Sequence, residues 1–186
     1  VTGQEKYQMN YTPLIPGVKT VEFNNIDELN SEINLNTCAV IIEPIQGEGG
    51  VIAAQKLFLE EAKKLCEEYD ALLIYDEVQC GIGRLGSFFA FEKYGVVPDM
   101  VCMAKGLGGG FPIGAVVAGR KAAESISYGD HGSTFGGNPL ACSVALAILS
   151  ELLDNGVLEN VEIISRYLLR KLQSLKEKHD SVKDIR

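Results

Sequence analysis

Three polar side chains in this sequence each stand where an apolar run stops. Glu43 closes the run from Cys38, Asp76 follows Ala71 to Tyr75, and Lys105 follows Met100 to Ala104. Lys105 is succeeded at once by Gly106, Gly108, Gly109 and Gly110, so its amine stands at the edge of a loop that backbone or ligand can approach closely. Amines partly withdrawn from water lose their charge more readily and can form Schiff bases. A phosphate-binding or merely solvated lysine fits the same spacing. Asp76 weighs between these readings, because a carboxylate at the tip of a buried strand is the partner that a pyridinium nitrogen needs: it keeps the ring protonated and makes it an electron sink. Lys105 with Asp76 therefore points to pyridoxal phosphate as the cofactor. The run Leu72-Leu73-Ile74-Tyr75-Asp76-Glu77 also fits the apolar strand with an acidic end by which P-loop ATPases position magnesium. That cradle requires Gly-x4-Gly-Lys-Ser/Thr, which the sequence lacks, and here the lysine precedes the glycines.

Residues of this kind need a scaffold that delivers strand ends to one place. Cys38 to Glu43 reads as a buried strand feeding the glycine loop Gln46 to Gly50. From Gln55 to Tyr69 the apolar positions Phe58, Ala62, Leu65, Cys66 and Tyr69 recur at helical spacing, and Asn25 with Glu28 forms the cap of a shorter helix before them. Strand, helix, strand, connection and strand predict an α/β fold with a mostly parallel sheet and flanking helices. In such sheets ligands gather outside the carboxyl ends of the strands, so Glu43, Asp76 and Lys105 are expected on one rim. Asn138 and Pro139 start a second long helix, apolar on most faces through Leu153 and expected to be buried. Asn155-Gly156 ends it, and a third, from about Leu158 to His179, carries the stripe Val161, Ile164, Leu168, Leu172 and Leu175.

Composition excludes several classes of function. The chain has 186 residues, 17 Lys+Arg against 25 Asp+Glu and a net charge of −8, with no cationic run to meet a nucleic acid. Apolar residues make up 46% and charged ones 23%, enough for a real core, while the longest aliphatic runs fall far short of the roughly 20 residues of a membrane span. Five cysteines without a Cys-x-x-Cys and two histidines predict neither a disulfide framework nor a metal site; incidental thiols in a reducing, cytoplasmic setting are expected. Of the 20 glycines, 17 lie between Gly47 and Gly137, which places the working surface there. The chain begins at Val1 and its last residues carry no helix stop, so a longer polypeptide is expected around it.

Four motifs in order carry a resemblance. Glu43-Pro44-Ile45-Gln46-Gly47-Glu48-Gly49-Gly50, Asp76-Glu77-Val78-Gln79, Ala104-Lys105-Gly106 through Gly114, and His131-Gly132-Ser133-Thr134-Phe135-Gly136-Gly137-Asn138-Pro139 resemble the class III, ornithine-type aminotransferases. The resemblance implies fold type I, with residues 1–155 as part of the large, cofactor-binding domain and 156–186 as the interdomain helix and start of the small domain. It implies that Lys105 holds pyridoxal phosphate and shuttles the proton, and that Asp76 holds the pyridine nitrogen. Gln79 would bond the ring's phenolic oxygen and Val78 would pack on a ring face. Glu48 would gate a substrate-binding arginine, with Glu43 beside it in the substrate site. Ser133 and Thr134 would reach the cofactor phosphate of the neighbouring subunit in a homodimer. Glu48-Gly49-Gly50 and Phe135 further suggest N-acetylornithine, or a related ω-amino donor such as ornithine or 4-aminobutyrate, with 2-oxoglutarate as acceptor. The family's upstream phosphate loop and downstream substrate arginine have no counterpart here, so these residues alone are expected to be inactive. A homologue that kept the fold and lost turnover is the non-enzymatic alternative, against which the retention of both Lys105 and Asp76 argues.

Overall fold

The computed structural model describes residues 2–186. A single turn, α1 (Glu5–Gln8), precedes α2 (Ile26–Glu32), whose start is braced twice: Asn25 Oδ1 accepts from the Glu28 N–H at 3.1 Å, and the Glu28 carboxylate accepts from the Glu22 N–H at 2.7 Å. Strand β1 (Ala39–Ile42) leads into the short pair β2 (Ile45–Gln46) and β3 (Ile52–Ala53), and α3 (Lys56–Glu68) follows. Beyond it come β4 (Leu72–Asp76), the turn α4 (Phe91–Tyr94), β5 (Met100–Met103), β6 (Ala115–Ala118), the turn α5 (Arg120–Ala123) and the long helices α6 (Pro139–Asp154) and α7 (Val157–Lys176).

The main sheet runs β1-β4-β5-β6, parallel for the first three strands, and β6 pairs antiparallel with β5. This is the expected mostly parallel α/β architecture. Its antiparallel edge went unread because Ala115 to Ala118 is a short apolar stretch with no alternation to mark it. The segment expected as a plain glycine loop is the tip of a hairpin, since Ile45 pairs with Ala53 and Gln46 with Ile52.

The two-residue period of β4 decides which face is core. Leu73 and Tyr75 are buried under α3, whose Phe58, Leu59, Ala62, Leu65 and Cys66 form the other half of the same cluster. Leu72, Ile74 and Asp76 point the opposite way, onto a face so lightly covered that Ile41 and Val116, on flanking strands, are each 55% exposed. Asp99 ties the strand beginnings together: its Oδ2 accepts from the Leu73 N–H at 2.8 Å and its Oδ1 from Lys63 Nζ at 3.2 Å. A second, smaller cluster of Ile82, Met103, Leu107 and Ala145 seats α6 beside the end of β5.

The long helices start and stop close to the predicted places, and Asn138 Oδ1 caps α6 by accepting from the Ala141 N–H at 2.9 Å. Burial of α6 departs from expectation. Only Ala141 and Ala145 are buried, whereas Leu140, Leu146 and Leu153 are 60%, 66% and 59% exposed. Small residues let the helix approach the turn after β5 closely, and Leu149 and Leu152 join the second cluster beside Phe88 and Phe89, while the larger side chains on its other faces stay exposed. At Gly156, with φ +68°, the chain bends by 65° into α7, whose apolar stripe is largely exposed. Among the described residues no single helix is long and apolar enough to cross a membrane.

Tyr75 presents one imperfection in the core. Its hydroxyl is buried with no hydrogen-bond partner among the described residues, and burial pushes its pKa well up. Tyr75→Phe removes an unpaired polar group while keeping the ring, so it should stabilise the whole protein by about 1 kcal/mol in denaturant titration. A loss of stability would mean that the hydroxyl is satisfied.

Candidate active site

Parallel order brings three polar residues to one rim. Ile42 stands in register with Tyr75, and Asp76 with Cys102, so Glu43, Asp76 and Lys105 follow the carboxyl ends of adjacent strands, with Asp76 in the middle. Asp76 is half-buried, and its Oδ1 accepts from the Val78 N–H at 3.0 Å, which fixes the carboxylate at the start of the turn carrying Val78 and Gln79.

Glu77, the neighbouring acid, has a different task that sequence reasoning missed. It is fully buried, with Oε2 accepting from the Ala90 N–H at 2.6 Å and Oε1 from the Phe91 N–H at 2.9 Å. The carboxylate thus pins the far end of the loop 78–90 against the strand that carries Asp76. Only the two-residue period could have hinted at this, by sending Glu77 to the face opposite Asp76. Burial raises the Glu77 pKa, and the two backbone donors act against that rise. A carboxylate so engaged is not free to orient water, and nothing in this geometry favours the magnesium-nucleotide alternative.

Lys105 begins a 3-10 turn, Lys105–Gly108, with its side chain exposed and its backbone at φ +43°. Left-handed backbone at a residue other than glycine costs on the order of 1–3 kcal/mol and persists only where the surroundings enforce it. Ile82 is the enforcing neighbour. It too is left-handed, at φ +49°, and it is buried so close to the turn that a Cβ at Gly106 would lie 3.3 Å from its own Cβ. Gly109, at φ +54°, completes the turn where a side chain would meet Ile148 Cδ1 of α6 at 2.7 Å.

The hairpin closes the rim on the other side. Glu43 Oε2 accepts from the Gly47 N–H at 3.2 Å, and the Gln79 side-chain amide fills the space next to Gly47. Glu48, the next residue, is exposed at the hairpin tip. Ser133 and Thr134 lie on an exposed turn of their own, braced into α6 by Ser133 Oγ accepting from the Gly136 N–H at 3.0 Å and Asn138 Nδ2 donating to the Phe135 carbonyl at 2.9 Å. Within the single chain, then, Glu43, Gln79, Asp76 and Lys105 belong to one end of the sheet, and the Ser133 hydroxyl braces the turn ahead of α6.

The model of the aminotransferase class-III family matches residues 1–186. The chain belongs to this family. It is 57% identical over 187 residues to the acetylornithine aminotransferase of Clostridium acetobutylicum, covering 100% of this chain and 48% of that protein, and 51% identical to that of Methanocaldococcus jannaschii, covering 46% of it. Among solved structures, the N-acetylornithine aminotransferase of Stenotrophomonas maltophilia superposes with a TM-score of 0.80 at 41% identity, over 90% of this chain and 44% of that one. Ornithine δ-aminotransferase of Plasmodium falciparum gives 0.86 at 34% identity, over 95% and 46%. The chain spans about half the length of the curated relatives it matches.

Class III aminotransferases depend on pyridoxal phosphate, and the rim fits it: a half-buried, oriented carboxylate for the ring nitrogen, an exposed amine on the adjacent strand end, and a seated side-chain amide between them and the hairpin.

The raised pKa of Glu77 has a sign that can be checked. A carboxyl that holds its proton more tightly folded than unfolded contributes stability below its ordinary value of 4.5 and loses it as pH rises through the folded value. The stability of the wild type relative to Glu77→Gln, which does not titrate, should therefore be greatest below pH 4.5 and fall as pH rises above it. Denaturant melts of the whole protein at several pH values measure this, and an advantage that grows with pH would contradict it.

Proposed function

We propose that the whole protein is a pyridoxal-phosphate aminotransferase that moves an amino group from N-acetylornithine, or a related ω-amino donor, to 2-oxoglutarate, as a step of arginine biosynthesis in the cytoplasm. The observation that carries this reading is the pairing of Asp76 and Lys105 on adjacent strand ends of one rim. Relatives named acetylornithine aminotransferase support the donor, and the free cysteines suit a reducing compartment.

When bound, the cofactor supplies an electron sink for the carbon that loses its proton. Asp76 would supply the negative charge that keeps the ring nitrogen protonated, and its bond from the Val78 N–H holds that carboxylate in place. The Lys105 amine would hold the cofactor covalently and would take and return the substrate proton. Its left-handed backbone sets the direction of the side chain. Gln79 would donate to the ring's phenolic oxygen, and Val78 would offer an apolar surface to the ring. Glu48, exposed at the hairpin tip, would pair with a cation of the substrate site in one half-reaction and release it in the other. Glu43 lies beside it, its carboxylate on the hairpin backbone. Ser133 and Thr134 complete the site of a second subunit, so that the active assembly is at least a homodimer.

Lys105→Ala in the whole protein should abolish the adduct that borohydride fixes and lower transamination by several orders of magnitude. Survival of that adduct would refute the role of the lysine. Among donors, N-acetylornithine should bleach the visible band of the bound cofactor faster than ornithine or 4-aminobutyrate; the reverse order would move the assignment to another member of the family.

Thr134→Ala should weaken cofactor affinity by about 1–3 kcal/mol, the cost of leaving a charged group short of a hydrogen bond. Mixing Lys105→Ala subunits with Thr134→Ala subunits then tests sharing. Recovered activity in heterodimers supports contact in trans, and no recovery in proven heterodimers would show that each subunit binds its own phosphate.

A further inference from the structure

The hairpin that carries Glu48 and the turn that carries Gln79 meet at one point. A Cβ built on Gly47 would fall 1.5 Å from Gln79 Oε1, 2.1 Å from its Cδ and 2.7 Å from its Nε2. The amide therefore occupies the very volume that any side chain at position 47 would require. Backbone conformation is not the reason for glycine here, because Gly47 is absent from the residues with positive φ. Space is the reason.

We infer that Gly47 is a positioning residue: its missing side chain is the slot that seats the Gln79 amide, and the Glu43 carboxylate keeps that slot from drifting. The inference rests on the reading of Gln79 as the residue that faces the cofactor's phenolic oxygen. The backbone side of the contact is the fixed one. Gly47 is held through its N–H by Glu43 Oε2 at 3.2 Å, and the hairpin behind it is closed by the pairing of Gln46 with Ile52 and by the Ala54 N–H on the Pro44 carbonyl at 2.9 Å. The yielding side is Gln79, since the atoms in conflict are the far end of a side chain with three rotatable bonds. An added methyl at position 47 would therefore swing the amide away and leave the strands and hairpin as they are. Sequence reading placed Gly47 in a glycine loop on the working surface; the contacts show Gln79 seated against it.

The test is a double-mutant cycle in the whole protein, reconstituted with pyridoxal phosphate. Gly47→Ala and Gln79→Ala should each raise the cofactor dissociation constant by about tenfold, the loss of one hydrogen bond to a charged group, and the double variant should be no worse than either alone. The pH at which the bound cofactor's visible band changes should move in the same direction in both single variants, a response that general loosening of the hairpin would not produce. Thermal melting of the cofactor-free Gly47→Ala protein should match that of the wild type. If Gln79→Ala weakens binding while Gly47→Ala does not, or if the two effects add in full, the slot is refuted and the role of Gln79 stands. If Gln79→Ala leaves both binding and the band unchanged, that role and the slot fall together.

Discussion

The alternation of β4 is the constraint on which the site depends. Leu73 and Tyr75 are committed to the cluster under α3, so Asp76 can only point out of the other face, at the end of the middle parallel strand. A slip of one residue would bury Asp76 and expose Tyr75, and the energy of burying two large apolar side chains opposes it. The same period separates two adjacent carboxylates. Asp76 is turned to the rim and Glu77 to the interior, where backbone N–H groups satisfy it. Core packing and the placing of a reactive group are one event here.

Two of the five left-handed non-glycine residues among those described stand where the chemistry is proposed. Lys105 and Ile82 are both left-handed, and they meet through Gly106, on two segments that leave β5 and β4. For a β-branched residue such a backbone is an outlier, tolerated because Ile82 is packed among Met103, Leu107 and Ala145. Packing of the second cluster thus supplies what the strained turn costs and holds the Lys105 backbone to one direction. The first cluster holds the strand of Asp76; the second holds the turn of Lys105. The rim lies between them.

Sequence made the framework legible where periodicity was strong. The apolar runs became β1, β4 and β5 within a residue or so at each end, α3 followed its helical spacing, and the Asn25 and Asn138 caps are where short polar side chains ahead of apolar runs put them. The rim followed from parallel order alone. Two kinds of feature escaped. One was short structure without a pattern, namely β6 and the two-residue strands of the hairpin, which exist because a neighbour offers its edge. The other was long-range contact: Glu77 reaching the backbone at Ala90 and Phe91, and Gln79 reaching Gly47, pair residues whose separation carries no local signal. The burial of α6 was overread for a related reason, since composition tells how apolar a helix is and not how many partners this chain gives it.

The two sides of the rim differ in what holds them, and that difference matches the work proposed for each. Asp76 and Lys105 end strands whose ladders and clusters fix them on several sides, the support that precise placement of a cofactor needs. Glu48 stands at an exposed hairpin tip, its side chain without a hydrogen-bond partner among the described residues, while the Gly50 N–H closes the turn on the Gly47 carbonyl at 3.4 Å and Arg186 Nη1 donates to the Gly50 carbonyl at 2.8 Å. A carboxylate that must engage a cation in one half-reaction and release it in the next gains from such freedom, whereas a ring-nitrogen partner would lose by it. Gly47 stands between the two sides: its N–H is held by Glu43 and its bare Cα lies against the Gln79 amide.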